Sequence, residues 1–238
     1  MKRVIVLSTL VVGSLVGWTF AQSNIDTTVP NKHAWGENIG WTNWRDANAG
    51  VQGVNVGVLV LQGFIWGENV GWINVGDGTP GGLGGQYSNV NGNDVGVNIS
   101  SDGTLHGYAW GENIGWINFD GGAMATPALP ARILCATPPG QPLARLDGYV
   151  WGENVGWINL ADLNPTKYVA VDAATTPVAC DMNMDGFVNG NDVQPFVNAM
   201  LGGTTWQSVC SGDLEPPPDG MLDMDDVNPF VTCLLTAP

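Results

Sequence analysis

Basic side chains are scarce in this 238-residue chain, where seven Lys and Arg stand against 22 Asp and Glu. That balance excludes nucleic acid as a partner, because binding phosphates needs clustered cations. Histidine occurs only at His33 and His106, and neither has a Ser or Cys partner at the spacing of a nucleophilic triad. They read as local packing residues. None of the four cysteines lies in a CxxC pair, so zinc ribbons and dithiol redox motifs find no support. Long apolar runs are confined to the N-terminus, where Lys2 and Arg3 precede Val4 to Val16. That run falls short of the ~20 residues that cross a bilayer, and Thr19 and Ala21 fit a signal-peptidase site. The expectation is a signal peptide over residues 1–21, no transmembrane segment after its removal, and a secreted or cell-surface protein. Past Ala21 five basic residues face all 22 acidic ones, a formal charge of −17. An exported protein so acidic points to solubility or to divalent cations.

One ten-residue string is abundant. "AWGENIGWTN" at 34, "IWGENVGWIN" at 65, "AWGENIGWIN" at 109 and "VWGENVGWIN" at 150 are near-copies, with tryptophans opening each at Trp35, Trp66, Trp110 and Trp151. Repetition at this period means stacked or radially arranged units. The third unit shows the pattern: "DVGVNIS", "TLHGYAW" and "IGWINF" read as strands, separated by the turns "SDG" and "GEN". Each unit is expected to be a three-stranded antiparallel meander, too small to bury its own faces. Residues 22–171 are thus read as an all-β repeat domain, propeller-like or sandwich-like. In "IGWINF" Ile114, Trp116 and Asn118 face one way and Gly115, Ile117 and Phe119 the other. Both faces are largely apolar, so the eight repeat tryptophans are expected to be core rather than exposed sugar-stacking rings. Glu37, Glu68, Glu112 and Glu153 occupy the same turn of each copy. Carboxylates in equivalent turns have no reason to pair across a glycosidic bond, so a solvated turn role is expected and no catalytic residue is assigned.

The composition changes after a linker at 172–179. "DMNMDGFVNGND" puts Asp181, Asn183, Asp185, the Phe187 carbonyl, Asn189 and Asp192 at positions 1, 3, 5, 7, 9 and 12 of a twelve-residue loop, with Gly186 at the sharp turn. That is an EF-hand schedule of oxygen donors for Ca²⁺, with Asp where Glu is usual at position 12. A second copy aligns Asp219, Gly220, the Met221 carbonyl, Asp223 and Asp226 with positions 5, 6, 7, 9 and 12. Asp213 and Glu215 serve as positions 1 and 3 if the prolines carry two inserted residues. The insertion makes this the weaker loop. Each loop runs into a related helix, "NDVQPFVNAML" and "DDVNPFVTCLL", with Pro195 and Pro229 in the first turn. Four cysteines allow three pairings, and antiparallel packing of the two helices favours Cys180 with Cys233.

The repeats resemble the "GYAW-x-ENIGWI-x-F" repeats of many exported bacterial proteins, a likeness that brings no established chemistry. Residues 180–238 resemble a type I dockerin. That resemblance implies a small α-helical module binding two Ca²⁺ and docking a cohesin-like partner, often in polysaccharide-degrading assemblies. The Ser-Thr recognition pair of that family is replaced by Gly190 and Asn191 in one loop and Met224 and Asp225 in the other. The leading expectation is a secreted, non-catalytic modular protein that attaches through its calcium module and presents the β-repeat domain. The alternatives are a polysaccharide-binding or polysaccharide-degrading accessory component, and a structural cell-envelope protein.

Overall fold

The structure, a computed structural model, describes residues 22–28, 31–49, 51–135, 144–162, 167–172, 176–216 and 218–237. The expected signal peptide lies outside the described residues.

Each ten-residue copy folds as one β-hairpin. β1 (His33–Gly36) pairs with β2 (Gly40–Asn43), β4 (Leu61–Gly67) with β5 (Gly71–Gly76), β7 (Leu105–Gly111) with β8 (Gly115–Asn118), and β11 (Tyr149–Gly152) with β12 (Gly156–Asn159). Neighbouring hairpins then join through β2–β4, β5–β7, β8–β11 and β12–β1, which closes eight antiparallel strands into a barrel. The expected meander is present in the third unit, where β6 (Val97–Ile99) pairs with β7. β3 (Asn55–Val56) adds to β4 in the same way. A propeller-like or sandwich-like arrangement does not form. A propeller would keep each unit's sheet separate, whereas here every hairpin continues its pairing into the next and leaves the ring without an edge.

Each letter of the string has a structural role. Three residues link the strands of each hairpin, as at Glu37 to Ile39, and the turn closes with bonds such as Ile39 N–H to the Gly36 carbonyl, 3.3 Å. The following glycines, Gly40, Gly71, Gly115 and Gly156, sit at φ between 74 and 77°, the left-handed residue this loop length requires. Ile39, Val70, Ile114 and Val155 fold back from the turns into the barrel mouth. A Cβ on Gly111 would stand 2.7 Å from Ile114 Cγ1, and one on Gly36 would stand 2.5 Å from Ile39 Cγ1. The first glycine of each copy is therefore the space its own plug fills. Asn38 donates its side-chain N–H to the Val155 carbonyl, Asn154 to Ile114, Asn113 to Val70 and Asn69 to Ile39, all at 3.0–3.1 Å. Four asparagines thus tie the four turns head to tail in a closed ring. The last asparagine of each copy accepts a backbone N–H two residues on, as Asn118 does from Asp120 at 2.8 Å.

Inside the barrel lie Ala34, Ile65, Ala109 and Val150 from the first strands, Thr42, Ile73, Ile117 and Ile158 from the second, then Trp44, Val75, Phe119 and Leu160. Thr42, the polar member, donates to the Ala34 carbonyl and accepts from the Trp44 indole. The space left among these side chains is about 10 Å³, no more than about one water's minimum. Eight strands enclose just enough room for side chains of this size. The barrel is solid.

At the end away from the glycine-rich turns the core continues under two short pairs, β9 (Arg132–Leu134) with β10 (Arg145–Asp147), and β13 (Ala161–Asp162) with β14 (Lys167–Tyr168). The helical module packs against this same core. Its helices are α1 (Val193–Asn198), α2 (Trp206–Gly212) and α3 (Val227–Thr236). Trp206 on α2 is buried among the barrel's core residues and donates to the Gly57 carbonyl at 2.9 Å. A disulfide joins Cys135 to Cys210 of the same helix. The second disulfide is Cys180–Cys233, the pairing that antiparallel helix packing favoured. Among the described residues no helix is long and apolar enough to cross a membrane.

Candidate functional site

The eight repeat tryptophans are not core. Trp35, Trp66, Trp72, Trp110, Trp116 and Trp151 each keep 37–41% of their surface exposed, and Trp41 and Trp157 are half-buried. Alternation gives each strand two apolar faces, and closure sends the face with Ala, Val and Ile inward because the lumen, which holds the one indole of Trp44, has no room for eight more. Of the described tryptophans only Trp44 and Trp206 are buried. The outward rings pair directly across each hairpin, Trp35 with Trp41, Trp66 with Trp72, Trp110 with Trp116 and Trp151 with Trp157. Their centroids are 4.6–4.9 Å apart and their planes are inclined by 59–68°. A third ring flanks each pair. His33, Phe64, Tyr108 and Tyr149 pack on Trp41, Trp72, Trp116 and Trp157 at 5.8–6.4 Å. Sequence reading missed this third ring, although an aromatic two residues before the first tryptophan recurs in all four copies. An aromatic wall of twelve rings surrounds the barrel.

Grooves run between adjacent hairpins. One of about 650 Å³ is lined by Phe64, Trp66, Trp72, Asn74, Trp110 and Glu112. The next, of about 430 Å³, lies one hairpin on, with Tyr108, Trp116, Asn118, Trp151 and Glu153 on the barrel side and Asn89 to Gly92 and Val95 closing its other side. Glu37, Glu68, Glu112 and Glu153 are all exposed at the turn end of the barrel, as solvated turn residues should be. His106 does not line these grooves; its Nδ1 lies 2.6 Å from Asp120 Oδ1.

The acidic loops form a second cluster. Asp181 and Asp192 are both buried. Asp192 accepts from the backbone N–H groups of Met182 and Asn183 on one oxygen and of Asn189 on the other. Asp226 does the same with Leu214, Glu215 and Asp223. Gly186 donates to Asp181, and Gly220 to Asp213, each glycine at a left-handed φ of 85–86°. Phe187 donates to Asp185, Met221 to Asp219, Asn191 to Asn189 and Asp225 to Asp223. The second loop therefore repeats these bonds of the first, although it is two residues longer. Asn189 with Asp192, and Asp223 with Asp226, also form the capping boxes that open the helical segments leading into α1 and α3. Phe196 and Phe230 stack between those helices at 4.0 Å.

No family model, characterised protein or solved structure matches this chain. The chemistry must be read from its own side chains.

In the second loop, carboxylate oxygens of Asp213, Glu215 and Asp219 lie within 4.8 Å of one another. Asp213 Oδ1 and Glu215 Oε2 are shielded from solvent and find no hydrogen-bond donor. The hydrogen bond to Asp226, then burial and Asp213, push the Glu215 carboxyl up to about 7. Burial also raises Asp213. Convergent hard oxygens whose charges repel are what a divalent cation neutralises, so this set fits Ca²⁺. Asp213, Glu215, Asp219, Asp223, Asp226 and the Met221 carbonyl would hold one ion. Asp181, Asn183, Asp185, Asn189, Asp192 and the Phe187 carbonyl would hold the other. The ion would neutralise charge and brace the loops. Among the described residues only the second loop, the weaker by sequence, brings three such carboxylates together; in the first loop Asp181 instead accepts from the Asp185 and Gly186 N–H groups.

Acrylamide quenching checks the exposure pattern. Most of the indole emission should be quenched in the folded protein, leaving a protected fraction from Trp44 and Trp206. Protection of most of the emission would return the repeat rings to the core.

Proposed function

We propose that this chain is a secreted, non-catalytic binding protein that holds polysaccharide on the aromatic wall of its barrel and is braced by a calcium-binding helical module. The observation behind this reading is the outward wall of twelve rings around a filled barrel. Rings of this kind stack on the C–H faces of sugars, and flanking amides and carboxylates such as Asn74 and Glu112 can pair with hydroxyls. On the barrel, the filled interior leaves ligand-sized space in the outer grooves. Each of the two grooves carries a single carboxylate, whereas glycoside hydrolysis wants two across the bond, so they suit recognition.

A second reading concerns the helices. Val197 and Leu201 on the α1 side, and Val231 and Leu235 on α3, are exposed apolar residues at matching places of the two loop–helix copies. That apolar strip favours attachment of the module to a cohesin-like protein, and so to a larger assembly.

The test of the first reading is co-sedimentation with a panel of neutral and amine-bearing polysaccharides. Wild-type protein should be retained by at least one member of the panel. The variant Trp66→Ala/Trp110→Ala should lose most retention while keeping its thermal transition. Absence of binding across the panel, or equal binding by the variant, would sink the reading.

A further inference from the structure

We propose that the inter-hairpin grooves select amine-bearing sugars, stacking the ring on an indole and placing the sugar's ammonium between aromatic faces and a glutamate. This rests on the polysaccharide reading above and narrows its ligand to 2-amino-2-deoxyhexose units.

Three observations carry it. The first is charge. Each described groove has one carboxylate, Glu112 or Glu153, and no Lys or Arg in its lining. Uronic and sulfated sugars would meet repulsion there, and a neutral sugar would leave the glutamate without an ionic partner. The second is ring orientation. The two indoles of a pair are inclined by 59–68°, so they cannot both lie flat under one extended glycan. Inclined rings turn their faces in different directions, so a groove lined by rings of two hairpins can offer one face to a sugar and another to a compact cation. The third comes from the chain itself. Lys167 lies with its Nζ 4.2 Å from the centre of the Trp41 ring. Trp41 is the first-hairpin equivalent of Trp72 and Trp116, which line the two grooves. The molecule thus seats its own ammonium on one ring of this set, while the equivalent rings of the second and third hairpins face open grooves.

The recognition involves no covalent step. A protonated sugar amine sits against the indole faces, its C–H face stacks on the Trp110 or Trp151 side, and the glutamate supplies the countercharge. Asn74 or Asn118 offers an amide to a hydroxyl. Because the copies repeat around the barrel, successive units of one polymer can engage more than one groove, which raises avidity without new contacts.

The probes are short oligomers of glucosamine, of N-acetylglucosamine and of glucose, titrated against the calcium-loaded whole protein by calorimetry at about 0.15 M salt, where charges beyond the groove are screened. The sugar amine is kept protonated. Glucosamine oligomers should bind about tenfold tighter than their acetylated counterparts, a difference of about 1.4 kcal/mol. Glu112→Gln/Glu153→Gln should erase most of that preference. Asp102→Asn, an exposed acid outside the described grooves, should leave it intact and so separates local recognition from bulk attraction of an acidic protein for a polycation. Equal binding of free and acetylated oligomers would overturn the amine selection while leaving the polysaccharide reading standing. A preference that survives the Glu double variant would also overturn it. Binding of none of the three oligomers, together with no retention on the polysaccharide panel, would overturn both.

Discussion

Chelating calcium from the intact protein is expected to abolish most of its helical circular dichroism and leave the β signal of the barrel. From Val178 to Pro238 the chain holds nine acidic residues and no Lys, Arg or His. Two of those carboxylates, Asp192 and Asp226, are fully buried. Like charges at this density oppose folding, and the module's own apolar cluster is a small one around Cys180, Met182, Phe196, Ala199 and Phe230. Each ion at a hundredfold excess over its Kd adds about 2.7 kcal/mol to the folded state. Two such sites are comparable with the whole stability of a small domain, about 5–15 kcal/mol. Residues 9 and 12 of each loop also cap the following helical segment, so loss of the ion frees the residues that start α1 and α3. The barrel keeps its closed sheet, with α2 still tethered by Cys135–Cys210.

The pH dependence of the chelated protein should run opposite to that of the loaded one. Glu215 has its folded pKa raised from 4.5 to about 7. The stability this group contributes is complete below the unfolded value and is lost as pH rises through the folded one. In EDTA the helical signal should therefore fall as pH rises from about 4.5 to 7. With calcium the proton is displaced, so binding should release protons over that same window and tighten as pH rises. Calorimetry in buffers of different ionisation enthalpy reads that release. A protein equally helical in EDTA and in calcium would refute the coupling of ion to fold.

Replacing Phe119 by alanine should destabilise the calcium-loaded protein by about 3–5 kcal/mol, and replacing Trp116 by only about 1 kcal/mol. The two residues are three apart in one string, yet they lie on opposite sides of the wall. Phe119 is 1% exposed and borders the 10 Å³ left at the barrel axis, so its removal opens a void that the closed ring cannot collapse around. Trp116 is outside, and its loss removes contacts with Trp110 and Tyr108 but leaves the packing within the ring in place. Urea denaturation followed by far-UV circular dichroism measures both. Equal costs would place Trp116 in the core after all.

Local chemistry in this chain was legible from its letters. The turn glycines, the meander of the third unit, the donor spacing of the acidic loops and the first-turn prolines follow from φ requirements, oxygen-donor spacing and helix periodicity, all of which act over a few residues. The Cys180–Cys233 pair, 53 residues apart, follows instead from the packing of two helices. The aromatic groove was not legible, because its members come from different hairpins: Trp72 and Asn74 from one copy, Trp110 and Glu112 from the next. Nor does strand alternation say which apolar face turns inward. That choice belongs to closure. Once β12 pairs with β1, the lumen has a fixed width that admits Ala, Val and Ile but not eight indoles, and the tryptophans become the outer surface. The repeated asparagine shows the same division. Its place in a turn is a local property, whereas its bond to the neighbouring turn exists only because four hairpins complete a ring.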